Sequence, residues 1–235
     1  MASGYFALKE KYCFINGVSV ALSAIGKSEL RGQNYKKYPH QRQTQSLFSL
    51  ILPPKREIMR KLSMDELHRL SKEDFERADK LPVIIVLDNI RSLSNVGAFF
   101  RTADAFRIGE LLLCGITACP PHREIHKTAL GADETVKWRY FESPEAACQA
   151  LKAEGYKIFA VEQVEGSVPL QEFKFELKTA YILGNEVEGV SEEALPYCDG
   201  AIELPQEGTK HSLNVSVCAG IVMWKAFEML NLGIK

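Results

Sequence analysis

Three stretches of this chain hold residue types able to do chemistry at the ends of strands. Asn95, Gly97 and Arg101 fall in one; Gly184-Asn185-Glu186 forms the second; Leu204-Pro205-Gln206-Glu207-Gly208 leads into Ser212-Leu213-Asn214-Val215-Ser216 in the third. The apolar runs Tyr181 to Leu183 and Ala201 to Leu204 each stop at glycine, proline and small polar residues, which reads as strands opening into loops that approach a ligand closely. Asn95 and Gly97 at a strand-to-helix turn offer backbone donors and room for close approach. Arg101, four residues beyond Gly97, lies one turn further along the same side, a grouping suited to a ribose-phosphate.

Other nucleotide and hydrolase signatures are missing. The first strand runs into Leu87-Asp88-Asn89-Ile90-Arg91-Ser92 rather than GxGxxG, and Gly184 to Gly189 is followed by Val190-Ser191 rather than Lys-Ser or Lys-Thr. GxSxG and His-Glu-x-x-His do not occur. The six cysteines show no CxxC or His/Cys ligand spacing and read as free thiols of a reducing compartment.

Taken together and in order, the three stretches resemble the SpoU subgroup of the SPOUT RNA methyltransferases, with the likeness covering most of residues 81 to 230. The resemblance implies transfer of a methyl group from S-adenosyl-L-methionine to a ribose 2′-hydroxyl of tRNA or rRNA, with no metal, in a homodimer. It implies that Gly184, Leu204 and Leu213 line the cofactor pocket, with Ile182, Leu183, Pro205 and Gly208 beside them, and that a trefoil knot at the carboxyl end builds that pocket. Asn95, Arg101, Glu186, Ser212 and Asn214 are then expected around the reacting ribose. The subgroup's arginine is often given the role of base, but a guanidinium stays protonated to above about pH 12. Arg101 therefore suits an RNA phosphate and the developing alkoxide better, with a phosphate oxygen or water taking the proton. Glu186 would orient Arg101 or the ribose, and Ser212 and Asn214 would hold the helix start. Two alternatives stand beside this: a base-methylating member of the same fold, and a non-catalytic RNA-binding or assembly module.

The elements that must position these residues alternate between strand and helix. Val83 to Leu87 is a continuous apolar run, and Val96, Phe99, Phe100, Ala103 and Phe106 keep helical spacing after Ser94-Asn95, either of which would cap the helix. Leu111 to Cys114, Val136 to Phe141, Lys157 to Val161, Tyr181 to Leu183 and Ala201 to Leu204 read as strands. Ile125 to Leu130 reads as a short helix, as does the stretch after Ser143-Pro144 up to Gly155. Leu62, Leu67, Leu70 and Phe75 suggest an amphipathic helix ahead of the first strand. The pattern predicts an α/β domain, a largely parallel sheet covered by helices on both faces, with its ligand at the carboxyl ends of the strands. Leu213 to Leu230 closes the chain as a helix apolar almost all round, and part of it is expected at a homodimer interface.

Charge separates the chain into two parts. Residues 1 to 58 hold nine basic against three acidic side chains, a net of +6, so the rest of a chain of net −1 carries −7. An acidic body needs a local basic patch to hold RNA, for which Arg91, Arg107, Arg123, His126, Lys127, Lys210 and His211 are the candidates. Residues 1 to 58 lack core-forming periodicity and are expected to be a poorly structured basic extension, whether an RNA-tethering arm or a segment ahead of a true start at Met59. The domain proper is placed at 59–235. No apolar run reaches the ~18 to 20 residues of a membrane span, and a cytoplasmic location is expected.

Overall fold

The computed structural model describes residues 12–15, 18–21, 59–63 and 65–233. The chain divides into two compact units, Met1–Leu62 and Ser63–Lys235. In the first, strands β1 (Tyr12–Ile15) and β2 (Val18–Ala21) pair antiparallel from Tyr12 opposite Ala21 to Ile15 opposite Val18. The residues between them in sequence, Asn16-Gly17, are a pair that two-residue hairpin connections favour. The rest of the segment expected to be a poorly structured extension, up to Ile58, lies outside the described residues.

The second unit is an α/β layer structure. In order come α1 (Lys72–Arg77), β3 (Leu81–Asp88), α2 (Leu93–Ala105), β4 (Ile108–Cys114), α3 (Arg123–Ala129), β5 (Trp138–Phe141), α4 (Pro144–Ala153), β6 (Lys157–Val161), β7 (Val168–Pro169), β8 (Thr179–Leu183), β9 (Gly200–Glu203) and α5 (Val215–Asn231). Strands β3 to β9 form one seven-stranded sheet in the order β5-β4-β3-β8-β6-β9-β7, and every pairing in it is parallel.

Period-two alternation decides what each face buries. Val83, Ile85 and Leu87 of β3, with Leu111, Leu113, Tyr181 and Leu183, face α2, α3 and α5, where Phe99, Phe100, Ile125, Val222 and Met223 complete the core. Ile84 and Val86, with Leu112, Ile158, Ala160 and Ile182, face the other way onto Ala147, Cys148 and Leu151 of α4. Each fully buried aliphatic or phenyl side chain here contributes about 1.5–3 kcal/mol. Helix α4 begins as its sequence suggests, with Ser143 Oγ accepting from Ala146 N–H at 3.2 Å and Pro144 at the first position.

Two local expectations need correction. The stretch before β3 is not one amphipathic helix: a single 3-10 turn at Asp65–Leu67 is separated from α1, and only Phe75 is buried, while Leu62, Leu67 and Leu70 stay exposed. The cause is Ser71, which caps α1 by accepting from Asp74 N–H and so starts a new helix. The cap of α2 is Ser92, whose Oγ accepts from Asn95 N–H at 3.3 Å; Ser94 and Asn95 lie inside the helix.

Candidate active site

A cleft of about 330 Å³ opens where β6, β8 and β9 end. Val161, Leu183, Ile202, Leu204, Leu213 and Val215 give it apolar walls, and Gly184 to Gly189 form one rim. That rim is tightly folded. Asn185 and Gly189 exchange backbone hydrogen bonds at 2.8 and 2.9 Å, and a Cβ on Gly184 would lie 2.0 Å from the Gly189 carbonyl carbon. Only glycine allows the strand end to approach the loop so closely.

At one end of the cleft the three stretches meet. Glu186 accepts from the N–H of Arg91 at 3.0 Å, from the N–H of Ser92 at 3.2 Å and from Asn95 Nδ2 at 2.9 Å. Burial alone would raise its carboxyl, but these donors outweigh burial and hold it below the ordinary glutamate value. Asn95 Oδ1 in turn accepts from Asn214 Nδ2 at 3.2 Å and Ser216 Oγ at 3.3 Å. Asn214 caps α5, its Oδ1 accepting from the N–H of Ser216 and Val217. One chain of polar side chains thus links residues about 90 and 120 positions apart.

The other sequence-derived residues fall in several places. Leu183, Gly184, Leu204, Ser212 and Leu213 line the cleft, as does His211. Ile182 is fully buried on the opposite face of the sheet, because the strand alternates, and Pro205 and Gly208 are not among the lining residues. Gly97 is not at a phosphate loop: it sits buried in α2, where a Cβ would lie 1.9 Å from Thr128 Oγ1 and 2.5 Å from the Ile125 carbonyl oxygen. Its missing side chain lets α2 and α3 pack. Arg101 is exposed, forms no hydrogen bond or ion pair among the described residues, and is not brought to Glu186; it lines a second cavity of about 530 Å³ with Arg107, Leu70 and Phe227. Arg91, Arg123, Lys127 and Lys210 are exposed, Arg123 and His126 beside each other at a third hollow and Lys127 near Glu124.

Some residues of the site carried no sequence assignment. Ser216 joins Asn95 and Asn214, which its place two residues into the helix start would have signalled. Asn185 donates to the Asn89 carbonyl at 2.8 Å, and Glu162, the first polar residue after β6, lines the cleft. Cys218 also lines it, with its thiol pushed up to about 11 by burial and then by the charge of Glu162, so it stays protonated at neutral pH.

A parallel α/β sheet with a ligand-sized cleft at the carboxyl ends of its strands defines a protein that binds small molecules at that edge. Residues 82–224 match the SpoU rRNA methylase family, and the chain belongs to it. The tRNA (guanosine(18)-2′-O)-methyltransferase of Thermus thermophilus is 32% identical over 161 residues, 68% of this chain and 82% of that protein. Among solved structures, the TrmH/SpoU tRNA modifying enzyme of A. aeolicus superposes with a TM-score of 0.62 at 25% identity, over 69% of this chain and 83% of its own. The AdoMet-bound rRNA methyltransferase of Sinorhizobium meliloti shares the fold with a TM-score of 0.60 at 24% identity, over 66% of this chain and 60% of its own.

Proposed function

We propose that this chain is an RNA ribose 2′-O-methyltransferase that uses S-adenosyl-L-methionine and acts on tRNA or rRNA. The observation that carries this is the hydrogen-bonded set Glu186, Asn95, Asn214 and Ser216 standing at the edge of the cleft. The cleft suits the cofactor: its apolar walls match an adenine face, and its volume is within the range of about 300–1,000 Å³ typical of small-molecule sites. Leu183, Gly184, Leu204 and Leu213 are assigned to hold it. When bound, it supplies a methyl group already activated on a sulfonium.

The protein's own groups orient the acceptor. Asn95 and Ser216 offer the ribose hydrogen bonds from positions that are fixed by Glu186 and Asn214, so little reorganisation is needed on binding. The 2′-oxygen takes the methyl, the electron pair of the broken S–C bond stays on sulfur, and the hydroxyl proton passes to a phosphate oxygen or water. Arg101, exposed and without a protein partner among the described residues, is assigned to an RNA phosphate, with Arg91, Arg107, Arg123, Lys127 and Lys210 as further basic contacts.

The same proposal places the methyltransferase domain at 59–235, a trefoil knot in its carboxyl-terminal third, and the protein in the cytoplasm as a homodimer. For the dimer, the support is a stripe on α5 and just before it: Leu213, Val217, Ile221 and Trp224 are 40%, 52%, 39% and 43% exposed at helical spacing. Tritium transfer from labelled S-adenosyl-L-methionine into small RNA and ribosomal RNA, with digestion to nucleosides, tests the activity. The expected product is a 2′-O-methylated nucleoside, and Arg101→Ala is expected to cut the rate by about 10²-fold while the protein stays folded. A methylated base as the product, or no transfer with undiminished RNA binding, would replace this proposal with one of the two alternatives above.

A further inference from the structure

The loop that leaves β8 is held between two carboxylates. In the sheet β8 lies between β3 and β6, and each neighbour finishes in an acid: Asp88 is the last residue of β3, and Glu162 follows the last residue of β6. Asp88, fully buried, accepts from the N–H and the Oγ of Ser191 at 2.7 and 2.8 Å. Glu162 accepts from the N–H of Val190 at 3.1 Å and from that of Gln163 at 2.9 Å. Consecutive loop residues are therefore fixed by acids on opposite sides. Gly189, just before them, has φ +75°, and a Cβ there would lie 2.4 Å from Glu162 Oε2.

The two acids differ in one respect. Glu162 lines the cleft and Asp88 does not. A carboxylate has about four lone-pair sites, and two of those on Glu162 are taken by backbone N–H groups, so it keeps both acceptor capacity and charge on the cleft side. Glu186, Glu188 and Glu203 line the same cleft, and among the described residues no lysine or arginine does. Among wall residues so arranged, a cation is favoured over a neutral molecule of the same shape. The methyl donor carries a sulfonium, whereas the thioether left after transfer has one positive charge fewer.

We propose that Glu162 is a specificity-determining residue of this cleft: its carboxylate, fixed by Val190 and Gln163, favours the cationic sulfonium donor over its neutral thioether product, so that methyl transfer itself loosens the spent cofactor. This deepens the cofactor assignment above and rests on it. Asp88 supplies the internal comparison, since it holds the same loop without facing the ligand.

Isothermal titration of S-adenosyl-L-methionine and S-adenosylhomocysteine into wild type, Glu162→Gln and Asp88→Asn reads the ratio of the two dissociation constants. Glu162→Gln is expected to shift that ratio against the sulfonium by about tenfold, while Asp88→Asn weakens both ligands alike and leaves the ratio unchanged. If Glu162→Gln does not fold, Glu162→Ala, in which cleft water meets the two freed N–H groups, gives the same reading. An unchanged ratio in the folded Glu162 variant overturns the proposal. A wild-type protein that binds neither ligand overturns the cofactor assignment instead, a result distinct from equal weakening.

Discussion

At Glu186 three neutral N–H donors converge on one carboxylate, and that convergence has a pH signature. The donors favour the charged form, so its pKa is lower in the folded chain than in the unfolded one. The stability it contributes is fully present above the unfolded glutamate value of about 4.3 and is lost as pH falls through the folded value. The melting-temperature gap between wild type and Glu186→Gln is therefore expected to be widest near neutrality and to close in acid; a gap that stays constant with pH would show that the charge is not what the donors recognise. Residue types and order were enough to mark Asn95, Gly184, Glu186 and Asn214 from the sequence. They did not reveal what Gly97 and Arg101 face, because an absent Cβ looks the same in a phosphate loop as between two helices, and spacing along one helix says nothing about the neighbouring loop. Glu162 was missed for a related reason: its importance comes from strand order, which brings it beside residues 189 and 190.

Helices α2 and α3 carry the contact that sets the position of Asn95. With a backbone carbonyl and Thr128 filling the space beside Gly97, a methyl group there forces the helices apart. Gly97→Ala is expected to cost about 1–3 kcal/mol in denaturant unfolding and to weaken cofactor-dependent activity, since Asn95 sits on the same helix. Unchanged stability would mean that α3 yields without cost. The centres of the strands and helices were legible because the apolar periods there are strong. Their ends were less so: β3 and β4 extend beyond the apolar runs, since pairing with neighbours carries Leu81 and Ile108 into the sheet, and Ser71 and Ser92 act as caps only in the backbone geometry that each helix start provides.

For the whole molecule, the exposed stripe along α5 and the fully parallel sheet are the features with consequences. Trp224, which also packs against Phe106 and Phe227 at 5.6 and 6.0 Å between ring centroids, sits at the carboxyl-terminal end of that stripe. By light scattering, wild type is expected to give a dimer and Val217→Glu, at the most exposed position of the stripe, a monomer with the fold retained; a mass that is the same in both would remove the stripe from the interface. The alternating pattern announced a parallel sheet, but not its order, since the pairing of β8 between β3 and β6 leaves no mark on any one segment. That order has a bearing on how the protein is made. As the chain emerges from the ribosome, β3, α2, β4 and β5 can assemble first, while β6 has no neighbour until residues 179–183 arrive to join it to them. The polar set around Asn95 and Glu186 then waits for Asn214 and Ser216, which come after every strand of the sheet in sequence. A nascent chain therefore cannot complete that set until α5 has been made, and termination before α5 is expected to leave no partly working site.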